Sequence, residues 1–186
     1  MKKERNRRPQ RNMKPVFIVF CEGDTEKTYI NLLRQKYRLP IKVISHITGQ
    51  SISPIYIQRI IQAEKIGQGD IITSFLMYDL DSNEVNNKLK TCKDSINISS
   101  NPTVELWFLL HKSEQNAAIS TDNCIKKLIK SNTDWASYEK GYLSEKQKQL
   151  LWDNRNSASS RARCLPKGEN PSSSVYLLIE AMNKII

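Results

Sequence analysis

Val16-Phe17-Ile18-Val19-Phe20-Cys21-Glu22-Gly23-Asp24-Thr25-Glu26 is an apolar run that passes directly into a short acidic turn. An unbroken run of β-branched and aromatic residues reads as a strand buried on both faces, as strands of parallel sheets are. Gly23 marks the turn. Asp24 is placed as N-cap of a helix with Tyr29, Leu32, Leu33 and Tyr37 on one face.

The same alternation continues downstream. Ile41 to Ile47, after Pro40, is a second apolar segment. Ser53 as N-cap and Pro54 at the first position then open a helix facing the core with Ile57, Ile60 and Ile61, and Gly67 and Gly69 end it. Ile71 to Tyr78 is a third strand, running into Asp79-Leu80-Asp81. Ser82 caps a short helix carrying Val85, Leu89 and Cys92, and Ser95 to Ser99 form a fourth strand. This order predicts an α/β fold, a mostly parallel sheet flanked by helices. From residue 102 the pattern turns helical: Thr103 to His111 with adjacent Trp107 and Phe108, then residues 122–130. Ser144-Glu145-Lys146-Gln147 is a capping box that starts a helix running to about Leu165, and a last helix carries Val175, Leu178, Ile179, Met182 and Ile185. The expected organisation is a disordered basic arm over 1–14 and a single domain over 15–186, with a helical C-terminal extension from about residue 120.

Charge is unevenly placed. Of a net +10, residues 1–14 supply +6: Lys2, Lys3, Arg5, Arg7, Arg8, Arg11 and Lys14 against Glu4. A basic arm on a mildly basic body suits a polyanion, RNA or DNA, and Arg161 and Arg163 are further phosphate-contact candidates. Four scattered cysteines without a C-x-x-C pair argue against a zinc site, and two histidines, His46 and His111, exclude a histidine-rich one. No apolar run is long enough to cross a membrane and no secretory leader is visible, so a cytoplasmic location is expected.

The chemistry sits in the acids. Glu22 follows the first strand, and Asp79 and Asp81 follow the third. Strand C-terminal ends of a parallel sheet open on one edge, where ligands of such folds bind. Residues two apart on a strand point the same way, so Asp79 and Asp81 are expected to converge. Three carboxylates there repel one another unless a cation lies among them, and oxygen donors alone select Mg2+ or Mn2+. Glu26, on the first helical turn, is a further ligand candidate that also favours the helix dipole; Glu84 is equally double-edged, and Glu105 is a secondary candidate.

Cys21-Glu22-Gly23-Asp24-Thr25-Glu26 followed by Tyr78-Asp79-Leu80-Asp81 resembles the Toprim signature of primases, topoisomerases, ribosomal RNA maturases and OLD-family nucleases. The resemblance implies a catalytic or metal-binding role for Glu22 and Mg2+ ligation by Asp79 and Asp81, and the OLD-type form of the motif adds Glu26. Toprim proteins often place a glycine soon after the Asp-x-Asp pair; here Ser82-Asn83-Glu84 follows. Two more blocks, Asn101 to His111 and Asn170 to Leu178, resemble the RloB-like family, and with the first motif they span most of residues 14–186. That resemblance implies a Mg2+-dependent Toprim-type nuclease cutting RNA or DNA, the effector of a phage-defence system beside a partner ATPase. A catalytically silent nucleic-acid-binding or regulatory subunit of an ATPase complex is the alternative. An Asp-x-Asp phosphatase fits less well, because the acidic pair follows the third strand rather than the first, and a receiver fits less well because no convincing phosphorylatable aspartate with a later strand-end lysine is seen.

Overall fold

β1 (Pro15–Cys21) lies inside a four-stranded parallel sheet, with β2 (Lys42–Ile47) on one side, β3 (Ile71–Met77) on the other and β4 (Ile96–Asn97) beyond β3. The structure, a computed structural model, describes residues 15–38, 42–48, 51–64, 66 and 69–185. The basic arm, with Lys2, Lys3, Arg5, Arg7, Arg8, Arg11 and Lys14, lies outside the described residues, as do Pro40, Ile41 and Gly67.

β1 and β3 are apolar throughout their inner length because both faces of the sheet are covered. Phe17, Val19 and Cys21 of β1 and Phe75 and Met77 of β3 enter one core; Val16, Ile18 and Phe20, with Leu76 and Tyr78, enter the other. Side chains alternate between faces along a strand, so one apolar run serves two cores. α1 (Asp24–Tyr37) covers the first face with Tyr29, Ile30, Leu32 and Leu33. α2 (Pro54–Ala63) and α3 (Asn83–Thr91) cover the second with Ile57, Val85 and Leu89. The expected parallel α/β sheet flanked by helices is what is observed.

Some local expectations change. Gly23, not Asp24, is the N-cap of α1, and Asp24 is its first residue. Ser53 does cap α2, its hydroxyl accepting the Tyr56 N–H at 3.2 Å. The capping box at Ser144 forms, but its helix stops: α6 (Glu145–Asp153) and α7 (Arg155–Arg163) part at Asn154, whose side-chain amide donates to the Leu150 carbonyl at 2.9 Å. The serines and asparagines that follow bond readily to nearby backbone carbonyls, as Ser159 and Ser160 do to Arg155 and Asn156.

The helical C-terminal part begins earlier than residue 120, with α4 (Val104–Leu110), and belongs to the same core as the sheet. All seven α4 residues are buried, and Trp107 and Phe108 meet Tyr29 of α1 in aromatic contacts. α5 (Thr121–Ser131), α7 and α8 (Tyr176–Asn183) pack on that cluster through Cys124, Leu128, Ala158, Ala162, Leu178 and Met182. The two Asn-Pro blocks lie side by side: β5 (Ser100–Asn101) pairs antiparallel with β6 (Ser172–Ser173). Among the described residues, no helix is long and apolar enough to cross a membrane.

Candidate active site

The register of β1 against β3 places Cys21 opposite Met77, so the two strands end together. Glu22 continues the ladder by one bond, its N–H reaching the Met77 carbonyl at 3.1 Å. Past Tyr78 the chain bridges to Ser100, with Asp79 at the bridge. Glu22 and Asp79 are thereby brought face to face, and the Glu22 carboxylate accepts the Asp79 N–H at 3.0 Å.

They line an open groove of about 620 Å³ together with Glu26, Lys140 and Tyr142. Glu26 is buried and its Oε2 accepts the Gly23 N–H at 3.0 Å, which closes the first turn of α1 back on its cap. The opposite wall is the loop before α6. Gly141 donates to Thr25 Oγ1 at 2.8 Å and accepts from Thr28 Oγ1 at 2.9 Å, which clips the loop to α1. With φ at +83° and Asp24 Cβ 3.3 Å from where its own Cβ would stand, position 141 needs glycine. The clip sets Lys140 at the groove.

Behind the groove is a second layer. Thr103 is fully buried and its hydroxyl meets Asp79 Oδ2 at 2.9 Å and Glu105 Oε2. Glu105, also fully buried, accepts the Tyr138 hydroxyl at 2.7 Å and has Lys140 Nζ at 3.9 Å. One hydroxyl carries one proton, so Thr103 donates to one carboxyl at a time, and the other contact is a hydrogen bond only if that carboxyl is protonated. Asp79 is the acid that holds a proton: burial first, then the charges of Glu26, Glu105 and Glu22, push its carboxyl up to about 8, against the Thr103 hydrogen bond. Glu22 and Glu26 are also raised, each chiefly by burial, with the charge of Asp81 adding for Glu22 and those of Glu22 and Glu105 for Glu26.

The acids expected from the sequence therefore separate. Glu22, Glu26 and Asp79 share the groove, and Glu105 stands behind it as a support for Thr103 and Tyr138. Asp81 is exposed and is not among the groove-lining residues, although its charge reaches Glu22. Strand-like pairing ends at the Asp79–Ser100 bridge, and Asp81 lies beyond it. Glu84 is exposed on α3 and paired with Lys88 at 2.7 Å, four residues along the helix. The arginines are also engaged. Arg161 donates to the Leu110 carbonyl at the end of α4, 2.6 Å away, and Arg163 holds Glu180 and lies over the Tyr176 ring. Thr103, Tyr138, Lys140 and Gly141 escaped the sequence reading. Only Thr103 carried a signal, its place in the Asn101-Pro102-Thr103 block.

Among the described residues, no three or more His, Cys, Asp or Glu side chains stand as a ready metal-binding set. Glu22 and Glu26 each turn an oxygen to a backbone amide. The donor types nevertheless fit a hard divalent cation. Asp79 Oδ1 is buried without a partner, and raised carboxylates crowd one groove with no histidine or thiol among its lining residues.

A family model described as RloB-like protein matches residues 17–182, and the chain belongs to this family. No curated protein and no solved structure matches it.

Proposed function

We propose that this member of the RloB-like family is a metal-dependent nuclease that cleaves RNA or DNA phosphodiesters at the groove lined by Glu22, Glu26 and Asp79. The observation that carries the reading is Asp79: a carboxyl with Oδ1 buried and unpartnered, at the groove beside Glu22 and Glu26, pushed up to about 8 by burial first and then by the charges of neighbouring acids, which a bound cation would relieve. Glu22, Glu26 and Asp79 would hold Mg2+ or Mn2+, which when bound supplies charge neutralisation and activates water for attack on phosphorus. Lys140, clipped over the groove, is positioned to meet a phosphate oxygen of the substrate. Glu22, raised above the ordinary carboxylate value, suits accepting a proton from the attacking water. Thr103 and Glu105 fix the Asp79 carboxyl from behind.

A net charge of +10 supports a nucleic-acid substrate. An effector role in phage defence beside a partner ATPase rests on the family resemblance alone. The test is cleavage of RNA and DNA panels with Mg2+ or Mn2+, with and without a co-expressed partner ATPase. The reading expects cleavage that Asp79→Asn abolishes while the far-ultraviolet circular dichroism is kept. Equal cleavage by that variant would falsify it.

A silent, ATPase-docked subunit is the second reading, favoured by the hydrogen-bonded state of Glu22 and Glu26. It expects metal binding and co-purification with the ATPase but no cleavage in either preparation.

A further inference from the structure

Leu80, the residue after Asp79, opens a second cavity, of about 330 Å³, between α3 and the α7–β6–α8 part of the chain. Leu80, Leu89, Ala162 and Leu165 give it an apolar floor. Ser99 Oγ and Asn86 Oδ1 add polar atoms that have no partner within the fold. Ser99 is 4% exposed and its Oγ has no partner; Asn86 Oδ1 is likewise buried without one. Buried polar atoms are nearly always paired, because an unpaired one has given up its hydrogen bonds to water without replacement. Both side chains line one cavity, so one ligand can satisfy both.

The polar groups are held in place. The Ser99 carbonyl accepts the Ser174 N–H at 2.9 Å, and the Asn86 amide nitrogen reaches the Leu80 carbonyl at 3.5 Å. Lys90, at the end of α3, and Lys167, ahead of β6, stand exposed at the cavity, and no acid lines it. Among the described residues, neither lysine is in an ion pair. The Tyr176 ring forms part of the wall. An apolar slot with an aromatic wall, an amide and a hydroxyl in fixed positions, and two free cations at the mouth is the recognition chemistry of a base with a phosphate attached. The volume is at the low end for ligand pockets, the scale of one nucleotide.

We propose that this cavity binds a single nucleotide. Its base lies among Leu80, Leu89 and Tyr176 and meets Asn86 and Ser99; its phosphate meets Lys90 and Lys167. The nucleotide is either a free mononucleotide or one unit of a strand, and the chemistry at the site is the same. The proposal does not depend on catalysis at Asp79.

The full chain is titrated calorimetrically, in EDTA to silence the carboxylates, with the four ribonucleoside 5′-monophosphates, their nucleosides, inorganic phosphate and a short single-stranded oligonucleotide. At least one monophosphate is expected to bind more tightly than its nucleoside and than phosphate. Lys90→Ala with Lys167→Ala should weaken it about tenfold or more. Asn86→Ala should weaken the monophosphate while leaving phosphate unchanged. Manganese binding, read on the same variants, should stay at the wild-type level, which separates this site from the carboxylates. An oligonucleotide that binds more tightly than the monophosphate, and loses that advantage in the double lysine variant, assigns the site to a strand; otherwise it takes a free nucleotide. No monophosphate binding beyond that of phosphate, or unchanged binding in the double lysine variant, overturns the proposal.

Discussion

The carboxylate of Glu22 accepts the backbone N–H of Asp79 at 3.0 Å, joining the ends of two strands 57 residues apart in the chain. The bond fixes the mouth of the groove and turns one Glu22 oxygen away from any cation. Structure and proposed chemistry therefore make opposite demands on one side chain.

Glu22→Gln separates those demands. The amide oxygen can still accept the Asp79 N–H, so the urea unfolding midpoint should move little, while the charge that attracts a cation is gone. Manganese affinity measured by calorimetry should fall by about tenfold or more. A variant that binds manganese as the native chain does places the cation elsewhere.

Asp79 should leave a pH signature in stability. Its folded carboxyl is raised from 3.8 to about 8, so between those values the folded chain keeps a proton that the unfolded chain has lost. This contribution to stability is full below about pH 3.8 and is lost as pH rises through about 8. Asp79→Asn lacks the titration. Urea unfolding in the presence of a chelator should show the variant gaining on the native chain from pH 5 to about pH 8 and levelling off above that. A constant difference over that span rules out the shifted carboxyl. A cation competing for the same proton position should bind more tightly toward the upper end of the range.

Glu105 is a positioning residue, and its loss should act through its neighbours. Glu105→Ala leaves the Tyr138 hydroxyl without its acceptor in a buried setting and frees Thr103 to rotate. The expected cost is about 3 kcal/mol in urea unfolding. Glu105→Gln retains an acceptor for Tyr138 and should cost clearly less. Equal costs for the two would mean that packing, not hydrogen bonding, is what Glu105 supplies.

Nucleic-acid affinity should depend on the arm and not on the helix arginines. Arg161 is tied to the Leu110 carbonyl and the charge of Arg163 is paired with Glu180, so both guanidiniums are already engaged within the fold. Removing residues 1–14 deletes seven cations, and the slope of log affinity against log salt should drop. Arg163→Ala should leave that slope unchanged in filter binding. The reverse pattern would move the interface to α7.

Glu22 and Asp79 were legible in the sequence because each follows an apolar run directly, and Glu26 because it falls on the helical turn that comes next; a parallel sheet brings its strand ends to one edge. Asp81 lies past the Asp79–Ser100 bridge, exposed and outside the groove lining, where strand alternation no longer sets the direction of a side chain. Glu84 was left open and proved to be a surface partner of Lys88. Tyr138 and Lys140 were invisible, since a tyrosine and a lysine in a polar loop carry no periodicity.

The sequence by itself determined the β-α-β order, the two-faced core strands and the acidic turns, because apolar periodicity and turn residues act over a few neighbours. The tertiary structure alone decided that Thr103 stands between Asp79 and Glu105, that Gly141 clips Lys140 over the groove, and that the two Asn-Pro blocks pair. Those contacts join segments tens of residues apart. They follow from how helices pack on the sheet, which local pattern does not encode.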